Sequence, residues 1–243
     1  MQDTQSINKA RAIYYNLFAN FFVPSSDIKN YFELFRLLNL LKDSSLDEAS
    51  EESIKNILNL LDKDSNQSLI QEYDDIFHNP VYEKVRQTAS FYDEGVESGK
   101  KRVEMIQFVA KTKLRRDEKR YFEYEDSVGF IFSIMSELSN LVALGEKQYD
   151  NTVHCIFEQI LNPFVDEFAK SIYEHKKANI YKELMVVLHS FIEFERLYLE
   201  VTKPLKKEKA KKQVTANWGD ISAEERERRE RKKERKLKRK YEN

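Results

Sequence analysis

Two short segments set carboxylates among aromatic rings: residues 72–77 read EYDDIF and residues 121–126 read YFEYED. That pairing fits a peptide groove, in which aromatic walls hold an apolar segment while the acids pair with its arginines. On this reading Tyr73, Phe77 and Tyr92 are wall or contact residues. Glu72, Asp93, Glu94, Glu125 and Asp126 supply charge pairing or order the loop that carries them. The competing reading is structural, because acids favour helix N-termini and Asp126 stands where a cap is needed.

Other chemistries lack their residues. The four histidines, His78, His154, His175 and His189, form no HExxH or other metal-ligand spacing. Cys155 is the single cysteine, which excludes an intramolecular disulfide and any CxxC site. His154 and Cys155 are adjacent, so a helix turns them to different sides, and they read as structural residues. With only 5 glycines, GxGxxG, a GKS/GKT phosphate loop and the GxSxG elbow are all missing. The expectation is therefore a protein with no catalytic residue, no metal site and no cofactor of its own.

The same glycine count, with 4 prolines, disfavours β-rich and doubly wound folds, which need many turn glycines. Apolar residues at helical spacing point instead to an all-α, bundle-like domain. A first helix carries Ile7, Ala10, Tyr14, Leu17, Phe18 and Phe21 and ends at Pro24. A second, capped by Ser26, runs through FELFRLLNLLK; being apolar nearly all round, it should be buried on more than one side. Ser44 or Ser45 opens a third helix with Ile54, Ile57, Leu58 and Leu61, and residues 62–67 break the chain. A fourth uses Leu69, Ile70, Tyr73, Ile76 and Phe77 and stops before Pro80. Residues 78–99 are the least periodic part, a long connection with one short helical turn, and such connections are often functional.

Helicity resumes at Val103, Ile106, Val109 and Leu114 and breaks at LRRDEKRYFEYED. Asp126 or Ser127 caps the next helix, with Val128, Ile131, Ile134, Met135, Leu138, Leu141 and Val142 as its stripe. Further helices span about Tyr149–Leu161, Pro163–His175 and Ile180–Val201. The expected organisation is one helical domain over residues 1–203 and a charged tail over 204–243.

The net charge of -1 conceals an asymmetry. From Lys203 onward there are 17 Lys and Arg against 8 Asp and Glu, leaving 24 against 34 in residues 1–202. An acidic body thus carries a basic tail, which opens a charged helix at a Ser222–Glu225 capping box and holds the single tryptophan, Trp218. The tail reads as a solvated helix, a segment paired with the acidic body, or a sequence-independent contact to RNA. Interleaved Glu224, Glu225, Glu227, Glu230 and Glu234 favour a self-paired helix. A nucleic-acid or ribosome-associated protein acting through this tail is the alternative function. The N-terminal residues lack the features of a secretory signal, and no run of about 18 apolar residues spans a membrane, so a cytoplasmic location is expected.

The order of segments resembles one family. Asn8, Arg11, Tyr15 and Phe18 match an N-x-x-R-x-x-x-Y-x-x-F/L opening. Glu72, Tyr73, Ile76, Phe77 and Pro80 match E-Y-x-x-L-F followed by a proline, and SFYDEG (90–95) matches an aromatic and acidic pair before a helix. Tyr124 to Val128 matches a P-E-D-H-L-like entry into a long helix that ends at Ile134, Met135 and Leu138. Tyr124 and Ser127 stand where the family has proline and histidine, and Ser133 where a second acid is usual. Over about residues 5–200 the chain is similar to the TorD/DmsD/NarJ family of cytoplasmic redox-enzyme maturation chaperones. The resemblance implies an all-α TorD-like fold without catalytic activity. It also implies binding to the twin-arginine signal peptide and the apo catalytic subunit of an exported molybdoenzyme, such as a formate dehydrogenase or an S-/N-oxide reductase. Help with cofactor loading before export follows from the same resemblance, and a monomer or a homodimer is compatible with it.

Overall fold

The computed structural model describes residues 2–23, 28–118 and 121–205. The Ser26 cap, the Ser222–Glu225 box and Trp218 lie outside those residues. The chain divides into two units, Met1–Pro204 and Leu205–Asn243, and every element described belongs to the first. Among the described residues ten α-helices run in order: α1 Gln2–Phe22, α2 Ile28–Lys42, α3 Glu48–Leu60, α4 Gln67–Phe77, α5 Ala89–Glu94, α6 Lys100–Ala110, α7 Val128–Ala143, α8 Asp150–Ile156, α9 Val165–Tyr173 and α10 Ile180–Tyr198. A short 3-10 turn precedes α8, and a π-helical stretch, Phe157–Leu161, continues it. The described residues contain no strand, only an antiparallel bridge between Thr88 and Ser127. The fold is all-α, as the periodicity requires.

The most extensive packing lies between α1 and α7. Their apolar faces meet through Phe18 and Phe22, whose rings lie 5.3 and 5.8 Å from that of Phe132. Gly129 makes this approach feasible: a Cβ there would sit 2.7 Å from the Phe22 carbonyl oxygen. On the other side α10 packs on α3 and α9, and Phe191 lies against Tyr14 and Tyr15 at 5.1 and 4.8 Å.

The first and last helices are also joined by a buried ion pair. Arg11 donates from Nε and Nη2 to the two carboxylate oxygens of Glu195 at 2.6 and 2.7 Å, and both side chains are essentially inaccessible. Tyr15 donates to the same carboxylate at 2.6 Å, and Arg11 donates to Asn8 Oδ1 at 2.6 Å. The guanidinium also lies 4.5 Å from the Tyr198 ring. A desolvated pair stabilises only when its remaining hydrogen-bonding capacity is met, and here Asn8 and Tyr15 of α1 contribute the further bonds. The family-like opening residues Asn8, Arg11 and Tyr15 are thus part of the frame.

Several local expectations change. The third helix is capped by Asp47, which accepts from Ser50 N at 2.7 Å, rather than by Ser44 or Ser45. Ser127, not Asp126, caps α7. The second helix buries one face only, with Tyr31, Leu34, Leu37, Leu38 and Leu41 inside and Phe32 and Leu40 exposed, because α1 and α3 provide its main packing. In α6 the buried positions are Met105 and Val109, while Val103 and Ile106 face solvent. Cys155 is half-buried rather than a core residue. Gly129→Ala should lower stability by about 2 kcal/mol in denaturant unfolding, because its methyl group meets backbone rather than a flexible side chain; an unchanged midpoint would show that α1 and α7 can separate freely.

Candidate functional site

The connection after α4 and the entry to α7 are sewn together. Ala89 N donates to Asp126 O at 2.9 Å, and Val128 N donates to Gln87 O at 2.8 Å. Asp126 is fully buried, and its Oδ2 accepts from Ser90 N at 2.9 Å. Its other carboxylate oxygen has no hydrogen-bond partner among the described residues. Burial raises its pKa, partly offset by the bonds from Ser90. Arg102 N in turn donates to Ser90 Oγ at 3.3 Å, which ties α6 to the same junction. Two of the family-like segments, 90–95 and 124–128, therefore meet at one point.

The surface of this junction is a guanidinium cluster. Arg102 Nε donates to Glu125 Oε2 at 2.7 Å, and its Nη1 donates to Ser98 Oγ at 2.9 Å. The Arg102 guanidinium lies 4.5 Å from the centre of the Tyr124 ring. Arg116 approaches the other Glu125 oxygen at 3.3 Å and donates to the Glu123 carbonyl at 2.8 Å. Burial would raise the Glu125 pKa, but the hydrogen bond from Arg102 and the charges of Arg102 and Arg116 hold it below the usual glutamate value. Val103 and Ile106 on α6 and Phe122 and Tyr124 on the segment before α7 are exposed, Phe122 to 83%. On α6, Val103 and Ile106 are three residues apart and Arg102 and Ile106 four, so these side chains adjoin along the helix.

Of the eight residues singled out from sequence, Glu72, Tyr73, Phe77 and Asp126 are buried, and Tyr92, Asp93, Glu94 and Glu125 are half-buried or exposed. Glu72 is buried and accepts from the backbone N–H groups of Asn179, Ile180 and Tyr181 at 2.8, 3.2 and 2.9 Å, holding the N-terminus of α10. Burial raises its pKa, and those three bonds oppose the shift. Tyr73 and Phe77 are core rings 4.7 Å apart; Tyr73 Oη bonds with the Gln87 side chain, and burial pushes its phenol up to about 12. None of these three faces solvent as a wall or charge partner, and neither does Asp126. Half-buried Tyr92 donates to the Arg86 carbonyl at 3.0 Å and stacks on Phe164 at 5.2 Å. Glu94 accepts from Lys100 N at 3.0 Å at the start of α6, in space that Gly99 leaves open. Asp93 is exposed on α5, and Glu125 sits in the guanidinium cluster.

Sequence reasoning missed Arg102 and Arg116. Arg102 precedes an apolar position of α6 and Arg116 falls in the charged break, so only the fold shows that both converge on Glu125. Elsewhere, Asp166, His189 and Glu193 each bring one ligand atom within 4.8 Å of the others. Arg196 and Lys203 already pair with both carboxylates, so the charge that a cation would neutralise is met from within.

A family model described as nitrate reductase delta subunit matches residues 43–170. The chain belongs to that family. It is the NarJ/TorD type, a family of redox-enzyme maturation chaperones. The matched span contains α3 to α8 and the whole guanidinium junction, while α1 and α10 lie outside it. A crystal structure of a candidate redox enzyme maturation protein from Archaeoglobus fulgidus is 20% identical, covering 76% of this chain and 93% of that one with a TM-score of 0.49. No curated protein matches the chain in sequence.

A carboxylate with a lowered pKa stabilises the fold above its ordinary value of 4.5 and loses that contribution as pH falls through the lowered one. Glu125→Gln should therefore cost about 1 kcal/mol at neutral pH, with the gap to the parent closing below pH 4.5. Chemical unfolding across pH reads this directly; a gap that stays constant would show that the Arg102–Glu125 pair contributes nothing.

Proposed function

We propose that this chaperone binds the leader of an exported molybdoenzyme subunit in the cytoplasm, through an arginine pair followed by an apolar run, and holds the apo subunit while its cofactor is loaded. The observation that carries the reading is a half-buried acid, Glu125, that holds a guanidinium against the exposed Tyr124 ring, on elements that also leave Val103, Ile106 and Phe122 exposed. Apolar burial supplies most of the affinity, at about 25 cal/mol per Å2, and the acid selects a guanidinium by its paired geometry. Phe122 stands among the most exposed large apolar residues, an arrangement that a partner surface explains better than the isolated chain does.

Glu125 is the acid through which the leader is read, and exposed Asp93 and half-buried Glu94 on α5 add charge pairing. Tyr92 steadies α5 by stacking on Phe164. Glu72, Tyr73, Phe77 and Asp126 act on the site through the fold, by fixing α10, the core and the junction. Membership in a chaperone family, rather than any constellation of reacting groups, supports a binding role without chemistry of its own.

Calorimetric titration with a synthetic peptide carrying an arginine pair and an apolar run tests the reading. Binding should weaken at least tenfold when the two arginines are replaced by glutamine, and about fivefold in Phe122→Ser with the parent peptide. Equal affinity for the two peptides would remove the guanidinium-reading role. Removal of residues 205–243 should leave this binding intact; its loss would favour the alternative in which the basic tail makes the contact.

A further inference from the structure

We infer that Tyr124, Glu125 and Ser98 form a guanidinium subsite that Arg102 occupies in the resting chain, and that a client arginine binds by displacing it. This rests on the leader-binding reading and adds how the site is kept and opened. The three elements of an arginine-binding site are all present around one side chain: an aromatic face at 4.5 Å, a carboxylate at 2.7 Å and a hydroxyl at 2.9 Å. Guanidinium is planar and presents donors along its edge while its face stacks, so one arginine satisfies all three together.

Arg102 is also suited to leave. Its side chain is 28% exposed, more than twice the 12% of the Glu125 it holds, so the arginine is the more accessible partner of the pair. Released, Arg102 can extend into water from the outer edge of α6, beside exposed Val103. Glu125 cannot follow, because Asp126 beside it is buried and hydrogen-bonded to Ser90 N. Arg116, which also donates to the Glu123 carbonyl, keeps the loop in place during the exchange.

An internal occupant has two consequences. Affinity is lowered by the cost of breaking the Arg102 contacts, so only a ligand that replaces them and also covers exposed apolar side chains gains overall. The subsite also never holds a bare, partly desolvated carboxylate, which is costly.

The test is Arg102→Ala in the full chain, with two readouts. Ethylguanidinium should raise the melting temperature of Arg102→Ala and not that of the parent, whereas ethylammonium should raise neither. The arginine-pair peptide should bind Arg102→Ala about fivefold more tightly than the parent, the factor expected from a pair worth about 1 kcal/mol. Arg102→Lys, which keeps the charge and loses the planar face, should fall between the two. A purely structural tether would weaken peptide binding in Arg102→Ala. Peptide binding by the parent with no gain in Arg102→Ala, or absent rescue by ethylguanidinium, overturns the exchange and leaves leader binding standing. A peptide that binds neither protein overturns the leader reading and the exchange together.

Discussion

The clasp between the connection after α4 and the entry to α7 decides what this surface looks like. Two backbone bonds across the Thr88–Ser127 bridge and the Ser90–Asp126 bond hold the two segments in register. Asp126 is buried at that seam, and Glu125, the residue before it, stays half-buried with its carboxylate toward Arg102 of α6. Were the clasp to open, the acid, the Tyr124 ring and the α6 arginine would no longer share a position. Site geometry here is a consequence of a seam between two segments, held by two backbone bonds and by the Asp126 carboxylate.

The frame behind the seam is fixed from the ends of the body. Arg11 and Glu195 tie α1 to α10, and Tyr15 and Asn8 complete their hydrogen bonding. Glu72 reaches from α4 to the first N–H groups of α10, where Asn179 makes no side-chain cap. A buried carboxylate accepting three backbone donors exchanges hydration for defined bonds and gains from the positive end of the helix. The same α4 carries Tyr73, whose hydroxyl meets Gln87 on the connection. Frame and seam are therefore linked through α4, whose Glu72 holds the start of α10 and whose Tyr73 holds the connection.

Helix positions were legible because their signal is local. Periodic apolar residues, Pro80 after α4 and the polar break over residues 62–67 place most of the elements to within a few residues. The roles of the acids were less legible, since Glu72, Glu125 and Asp126 are equally acidic in sequence and differ only in what the fold packs over them. Asp126 is sealed by α5, Glu72 faces α10, and Glu125 meets two arginines 23 and 9 positions away. The second helix shows the converse: its apolar character around the whole circumference implied a central position, yet Phe32 and Leu40 remain open to solvent. Composition reports what a face can bury, and tertiary neighbours decide whether it does.

Hydrogen–deuterium exchange on the full chain, with and without the arginine-pair leader peptide, tests the location of binding most directly. Protection should concentrate in residues 100–110 and 121–127, the helix and loop that flank Glu125, while the slow amides of α1 and α10 stay unchanged. Protection confined to α2, α9 or the residues beyond Pro204, with no change around Glu125, would contradict the site.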